Sequence, residues 1–467
     1  MANLILWTTY HFKLAPVRTI GVYQLASWLR VHGYTVKVID FCHTLTTTEL
    51  VEITERYINK NTLAIGVSST FWSPSEDSVL RHNNRYLEPN WVIDAREKIE
   101  IKHSVKWLLG GAKVERTEQS HRFHWIKFMG QAENSLLKWM DENSNHYVLR
   151  NSFDITKLNN KFTMGDYIQP NETLPIELAR GCMFKCKFCS YPLMGKKPGT
   201  YLRDMKLVRE ELIRNYEEFG TKNYYILDDT VNESHQKIQK LADIIQSLPF
   251  EVSWTGYNRL DMIASKPESI QWLKDSGLRS SYFGIESFDL KASLLIGKGW
   301  NGKHGKDFLL KLKERWGNDI NWTLSFIVGL RGESKNSILD VVKWCIDNNM
   351  YHWMFFPLNI DSFPDKVWKS EFDLNYEKYG YKFSKSKTDW FTDGWDLTGA
   401  AEFANQLNQK SSPYVRVASW TLLGLASLGY PINEIKNMKI SDLPMADIKD
   451  KSNKFIKSYI NHHQYGS

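Results

Sequence analysis

Leu174-Pro175-Ile176-Glu177-Leu178-Ala179-Arg180-Gly181-Cys182-Met183-Phe184-Lys185-Cys186-Lys187-Phe188-Cys189 is the stretch on which the reading of this chain turns. Its first six residues have the apolar pattern of a short strand, and three thiols follow within eight positions, in a chain of 467 residues with only five cysteines. Thiolates this close can share a metal centre, and iron–sulfur clusters are held by cysteines spaced in this way. Three ligands on a four-iron cluster leave one iron open, where chemistry can occur. A structural zinc site normally completes four ligands, yet the nearest downstream histidine is His235. Cys42 and Cys345 read as small packed hydrophobes. No secretory n-region and h-region opens the sequence, and sparse cysteine suits a reducing compartment, so a cytoplasmic setting is expected.

The composition is that of a globular protein: 42% hydrophobic and 24% charged, with length for two to four domains. The net charge of +7 is a small difference between 60 basic and 53 acidic residues, too weak alone to argue nucleic-acid binding. The most apolar run, Val417 to Ile432, falls short of the ~20 residues a membrane span needs and is expected to be a buried helix. The 18 Trp, 22 Tyr and 23 Phe suit aromatic-lined pockets and core packing equally.

Working outward from the cysteine loop, residues 1–145 alternate strand and helix signals. Strands are expected at Asn3–Trp7, Thr35–Phe41, Leu63–Ser69, Val105–Leu109 and Phe123–Met129, with helical spacing over Val17–His32, which implies a parallel, doubly wound sheet. The Asn-rich stretch 146–172 reads as a linker. Residues 173–360 hold six strand candidates: Leu174–Ala179, Tyr224–Asp228, Glu251–Tyr257, Ser281–Glu286, Trp322–Gly329 and Trp353–Ile360. Helical stripes fill the gaps, one opened by the capping box Ser265-Lys266-Pro267-Glu268. Six strand–helix units give a partial (β/α)6, TIM-like barrel. In such barrels active sites gather at the carboxyl ends of strands, where the cysteine loop falls. Residues 361–467 are expected to add aromatic-rich loops (Trp390 to Trp395) and a small, mostly helical extension.

The C-x-x-x-C-x-x-C spacing, with Phe188 before the last cysteine, resembles the signature of the radical S-adenosylmethionine superfamily. Three further segments agree: Tyr225-Ile226-Leu227-Asp228-Asp229-Thr230, Phe283-Gly284-Ile285-Glu286-Ser287 and Phe326-Ile327-Val328-Gly329-Leu330-Arg331-Gly332-Glu333-Ser334. They resemble the second-, fourth- and fifth-strand motifs of the superfamily's cobalamin-binding branch, with Arg331 where a proline is usual. Residues 1–145 resemble the cobalamin-binding domain found ahead of such barrels. The matching segments run through Val38-Ile39-Asp40, Gly66-Val67-Ser68-Ser69-Thr70, Gly110-Gly111 and Gly130-Gln131-Ala132-Glu133. The Asp-x-His-x-x-Gly signature that supplies histidine to cobalt is absent.

The resemblance implies a [4Fe–4S] cluster on Cys182, Cys186 and Cys189. It implies S-adenosylmethionine seated by Phe188, Asp228, Asp229 and Glu286, and cobalamin near Ser68, Gly110 and Gly111. The implied reaction forms a 5′-deoxyadenosyl radical and methylates an unactivated carbon of a small-molecule or biosynthetic-intermediate substrate. Electrons would come from an external flavodoxin- or ferredoxin-type donor, with no membrane involved. Two alternatives stay open: a cobalamin-independent radical rearrangement or oxidation, by a chain whose first domain kept the fold and lost the cofactor, and a nucleic-acid-binding protein with a structural metal. The latter draws on Lys185, Lys187, Lys196, Lys197 and Arg203 around the loop. A methylthiotransferase fits poorly, because only Cys42 precedes the triad.

Overall fold

The computed structural model describes residues 2–12, 14–72, 88–114, 117, 124–144, 152–190, 201–298, 302–362, 369–384 and 386–466. The chain forms two compact units, one of Met1–Glu172, Arg214–Gly220 and Ala446–Ser467, the other of Thr173–Ile213 and Thr221–Met445. Among the described residues no helix is long and apolar enough to cross a membrane.

In the first unit, β1 (Leu4–Trp7), β2 (Val36–Ile39), β3 (Ala64–Ser68), β4 (Lys106–Gly110) and β5 (Ile126–Lys127) form an all-parallel sheet in the order β2-β1-β3-β4-β5. Every residue of β1 and β2 is buried, as expected for strands covered on both faces. Helices Ile20–Val31, Thr47–Tyr57, Asn90–Lys102 and Glu133–Asn143 alternate with the strands, and the second opens on a Thr46–Glu49 capping box. The order reverses between β1 and β3, and ligands of open α/β sheets bind at the carboxyl end of such a reversal.

Two expectations need correction in this unit. Residues 152–172 pack into it rather than behaving as a linker: Glu172 accepts from the Arg18 guanidinium at 2.5 Å and Asp166 from Arg30 at 2.8 Å. The Asn-rich composition concealed this because the partners are single arginines, Arg18 just before and Arg30 within the helix preceding β2. The last helix, Met445–Tyr465, is also part of this unit and no extension. Its Tyr459 hydroxyl accepts the Asp40 N–H at 2.8 Å, and its Tyr459 ring meets Phe41 edge-on.

In the second unit, β6 (Leu174–Ile176), β7 (Asn223–Ile226), β8 (Ser253–Asn258), β9 (Leu278–Glu286), β10 (Asn321–Val328) and β11 (His352–Pro357) lie parallel in consecutive order. That is the succession of a (β/α) barrel left open between β6 and β11. The expected capping box is not formed. Ser265 ends the helix Leu260–Ser265 and donates to Met262 O, while Pro267 and Glu268 make a turn before the helix Ser269–Asp275. The aromatic-rich stretch is not loop either: β12 (Lys382–Phe383), β13 (Trp390–Thr392) and β14 (Trp395–Asp396) form a small antiparallel sheet. Trp390 and Trp395 are buried and donate to Leu358 O and Glu333 O. Trp390 lies so close to Gly329 (φ 102°) that a Cβ there would sit 2.4 Å from the ring. Helix Ser419–Ser427, inside the apolar run, is buried as expected.

Candidate functional site

The cysteine loop leaves the carboxyl end of β6 and is pinned from several sides. Ala179 bridges Leu202, the Lys187 N–H donates to Ile296 O at 2.9 Å, and Lys187 O accepts from Phe372 N–H at 2.9 Å. Gly181 takes φ 80° immediately before Cys182, a left-handed turn in which glycine is at no steric disadvantage. Cys182, Cys186 and Cys189 are half-buried free thiols. Among the described residues no three His, Cys, Asp or Glu side chains are gathered around one point, so the thiols share a loop and not yet a cage. Two neighbours suit them to a metal centre. Thr230 Oγ1, at the end of β7, lies 3.4 Å from Cys182 Sγ, and Arg259 Nη1, following β8, lies 3.3 Å from Cys186 Sγ. A guanidinium beside a sulfur can offset the negative charge of a metal-bound thiolate. Burial opposes the Arg259 charge, but Asp261 and Cys186 outweigh it and raise its pKa. The guanidinium also sits 3.9 Å above the Phe184 ring. Phe188 is half-buried on the same loop.

The strand-end carboxylates divide into different roles. Asp228 is buried, with Oδ1 accepting the Leu178 N–H at 2.7 Å and Oδ2 accepting from Lys237 Nζ at 2.6 Å. Glu233 meets the same ammonium at 3.1 Å. Burial works against the Lys237 charge, yet the two carboxylates hold its pKa above the ordinary lysine range. Asp228 therefore fastens the start of the cysteine loop to β7. Both of its oxygens are engaged inside the protein. Asp229 stands half-buried beside it.

Glu286 ends β9 in a left-handed conformation, φ 67°, next to a register irregularity against β10. Such strained non-glycine positions cluster at functional sites. Its Oε1 lies 3.2 Å from Lys298 Nζ, which also donates to Gly284 O. The carboxylate fills the space a side chain at Gly284 would need: a Cβ there would sit 2.4 Å from Oε1. Glu333 was quoted in the fifth-strand segment but given no role. It is buried, accepts from Ser287 Oγ at 2.6 Å, and leaves Oε2 without a hydrogen-bond partner. Burial pushes its carboxyl up to about 8. The same segment contains Arg331, which is exposed and paired with Asp393 at 3.4 Å. Arg203, expected on a basic rim, is instead buried against Glu211 at 2.6 Å; Lys196 and Lys197 lie outside the described residues.

In the first unit, Ser68, Gly110 and Gly111 come together at the carboxyl ends of β3 and β4. Ser69 N–H donates to Gly110 O at 2.8 Å and Ser68 Oγ to Thr70 Oγ1 at 3.2 Å. Gly111 (φ 100°) is required by its own fold, because a Cβ would sit 2.8 Å from Thr70 N; above Gly110 a Cβ would meet nothing within 4 Å. Sequence reasoning missed the residues at the strand-order reversal itself. Tyr10, after β1, and Phe71, after β3, bring their rings to 4.3 Å. His11 stacks on His43 at 4.8 Å, and burial with the neighbouring His11 pushes the His43 imidazole down to about 4. Aromatic residues in a β1 loop carry no periodic signal, which is why only the small residues were legible.

A six-stranded parallel sheet with three cysteines beyond its first strand defines a radical S-adenosylmethionine domain. Residues 176–345 match the family model described as Radical SAM superfamily. An uncharacterised methyltransferase of Pyrococcus horikoshii is 29% identical over 167 residues, 36% of this chain and 35% of its own length. An anaerobic magnesium-protoporphyrin IX monomethyl ester cyclase of Cereibacter sphaeroides is 24% identical over 48% of this chain and 36% of its own length. The chain thus spans only about a third of the length of these two relatives. The radical S-adenosylmethionine methyltransferase TsrM of Kitasatospora setae, solved with tryptophan and an S-adenosylmethionine analogue, shares the fold. Its TM-score is 0.65 at 14% identity, covering 98% of this chain and 100% of that one.

Proposed function

We propose that this chain is a cobalamin-dependent radical S-adenosylmethionine methyltransferase acting on an unactivated carbon of a small molecule. The observation that carries the reading is the pinned three-cysteine loop, with Arg259 at Cys186, at the carboxyl end of the first strand of a six-stranded parallel sheet. When bound, the cluster and S-adenosylmethionine supply one-electron cleavage of a sulfonium to a hydrogen-abstracting radical, and the corrinoid supplies a transferable methyl group.

Cys182, Cys186 and Cys189 would hold the cluster, and Arg259 would offset the charge of its thiolates. Phe188 would cover S-adenosylmethionine. Asp228, held by Lys237, and Asp229 beside it are the carboxylates that would help seat its amino group. Glu286, held back over Gly284 by Lys298, would accept from the ribose hydroxyls. For the corrinoid, the open backbone above Gly110 and the Tyr10–Phe71 pair at the strand-order reversal fit a flat ring. Cobalamin-bound TsrM has the same fold, which supports the reading at the level of architecture. An external reductant of flavodoxin or ferredoxin type and a reducing, cytoplasmic setting complete it. The burial of Arg203 with Glu211 removes one of the cations on which a nucleic-acid reading drew.

Anaerobic reconstitution tests this. Four irons per chain, 5′-deoxyadenosine on addition of dithionite and S-adenosylmethionine, and retention of hydroxocobalamin through gel filtration are expected. Absence of 5′-deoxyadenosine overturns the radical reading. Its presence without retained corrinoid overturns the cobalamin assignment and leaves a cobalamin-independent radical reaction.

A further inference from the structure

The strands of the second unit begin on the side away from the cysteine loop, and their amino ends border a cleft of about 560 Å³. Asn223 and Ser253 open β7 and β8, Arg279 is the second residue of β9, and Asp319 stands two residues before β10. Helix Ser419–Ser427 packs against β7 to β10, its Ser419 N–H donating to Ser280 Oγ at 2.5 Å. The turn that follows it brings Tyr430, Ile432 and Lys436 to the same cleft. Lys436 is fixed from within. The buried Asn321, first residue of β10, donates from Nδ2 to Lys436 O at 2.5 Å and to Val417 O at 3.0 Å. The volume lies in the range of small-molecule sites, about 300–1,000 Å³.

Lys274, Arg279, Lys436, Glu251 and Asp319 are the charged residues of this cleft, and their pairing is uneven. Lys274 Nζ meets Asp319 Oδ2 at 2.7 Å. That bond, with Lys436 and Arg279 close by, holds the Asp319 carboxyl below its ordinary value. Among the described residues the Arg279 guanidinium, the Lys436 ammonium and the Glu251 carboxylate make no hydrogen bond or ion pair. Arg279 is also out of step with its strand. Leu278 opposes Trp254 and Ser280 opposes Thr255, which leaves Arg279 as an extra residue in the β8–β9 register. Such irregularities re-aim a side chain, often beside a site, and here the side chain is a half-buried arginine. Its five N–H donors lie in a planar fork that matches an anion able to accept two of them at once. With Lys436 beside it the cleft offers two unpaired cations against one unpaired carboxylate, which suits a doubly charged anion. Tyr430 and Ile432 add apolar surface for an organic group.

We infer that this cleft is a second small-molecule site, taking an organic phosphate monoester whose phosphoryl oxygens are held by Arg279 and Lys436. The site lies at the end of the sheet opposite the cysteine loop and rests on neither the radical nor the cobalamin reading.

Anaerobic calorimetry on the full reconstituted chain, with phenyl phosphate, benzoate and phenol as probes, tests it. The trio holds the ring constant and varies the charged group. Phenyl phosphate is expected to bind about tenfold tighter than benzoate or phenol, and less tightly as salt rises. Arg279→Gln is expected to weaken it about tenfold and Lys436→Gln about threefold. Glu251→Gln, which removes a repelling charge, is expected to strengthen it about twofold. Equal binding of benzoate or phenol, or an unchanged phenyl phosphate affinity in both cation variants, would overturn the inference. So would weaker binding in Glu251→Gln, since the carboxylate would then be holding a cationic group. If Arg279→Gln fails to fold by circular dichroism, Lys436→Gln, outside the strands, decides alone.

Discussion

Asp228 and Glu333 are both buried carboxyl groups at strand ends, and burial raises both, but only Asp228 has a cation beside it to oppose that rise. Asp228 shares Lys237 with Glu233. Lys237→Met would leave two buried carboxylates without their cation and is expected to cost about 3–5 kcal/mol, read as a lower urea midpoint at unchanged m-value. Glu333 has no cation, and burial raises it from 4.5 to about 8. Between those values the unfolded chain has released a proton that the folded chain keeps. Stability should therefore fall as pH rises through this window, by a few kcal/mol, and be fully present below it. Glu333→Gln should abolish that slope, as urea midpoints measured at pH 5 and pH 8 will show. A strand-end carboxylate is visible in sequence. Whether it faces a ligand or a lysine nine residues away is not, because that depends on which side of a helix turns inward.

The cysteine loop was legible as an element because its three cysteines are local in sequence and follow a strand. The cation beside it was not, since Arg259 arrives from β8, some seventy residues away in sequence. Arg259→Met should make the cluster harder to reduce, because a nearby positive charge favours the electron-rich form; an anaerobic EPR-monitored redox titration should show a more negative midpoint. An unchanged midpoint would mean the guanidinium serves only Phe184 and Asp261. The strands of both sheets could be read from continuous apolar runs. Strands β12 to β14 could not, being two or three residues long, too short for period-2 alternation to register. The helix Ser419–Ser427 was legible as buried, but nothing in its composition says that it packs against β7 to β10.

At the scale of the whole molecule, the order of domains could be read along the chain but their membership could not. Compact units need not be contiguous, and the first unit recruits residues 446–467 across the entire length of the second. Many contacts draw the final helix in. Arg18 sits 5.6 Å from the Tyr459 ring, the Tyr57 hydroxyl lies 3.2 Å from His463 Nδ1, and Arg56 donates to His463 O at 3.0 Å. Truncation after Leu443 should expose Phe41 and the Arg18–Glu172 pair and lower stability by several kcal/mol, in the range seen for loss of buried aromatic packing. Limited proteolysis should then cut the first 172 residues at protease levels that leave the intact chain whole.

The Tyr459–Asp40 bond has a temporal consequence as well. The sheet of the first unit emerges from the ribosome before the second unit, but the helix that caps Asp40, Phe41 and Arg18 is translated only after all of the second unit, Thr173–Ile213 and Thr221–Met445. The first unit is therefore begun before the second and finished after it, and it must wait with an uncovered arginine and aromatic surface. Nascent chains stalled before residue 446 should engage holdase chaperones through their first unit and release them once the final helix is translated.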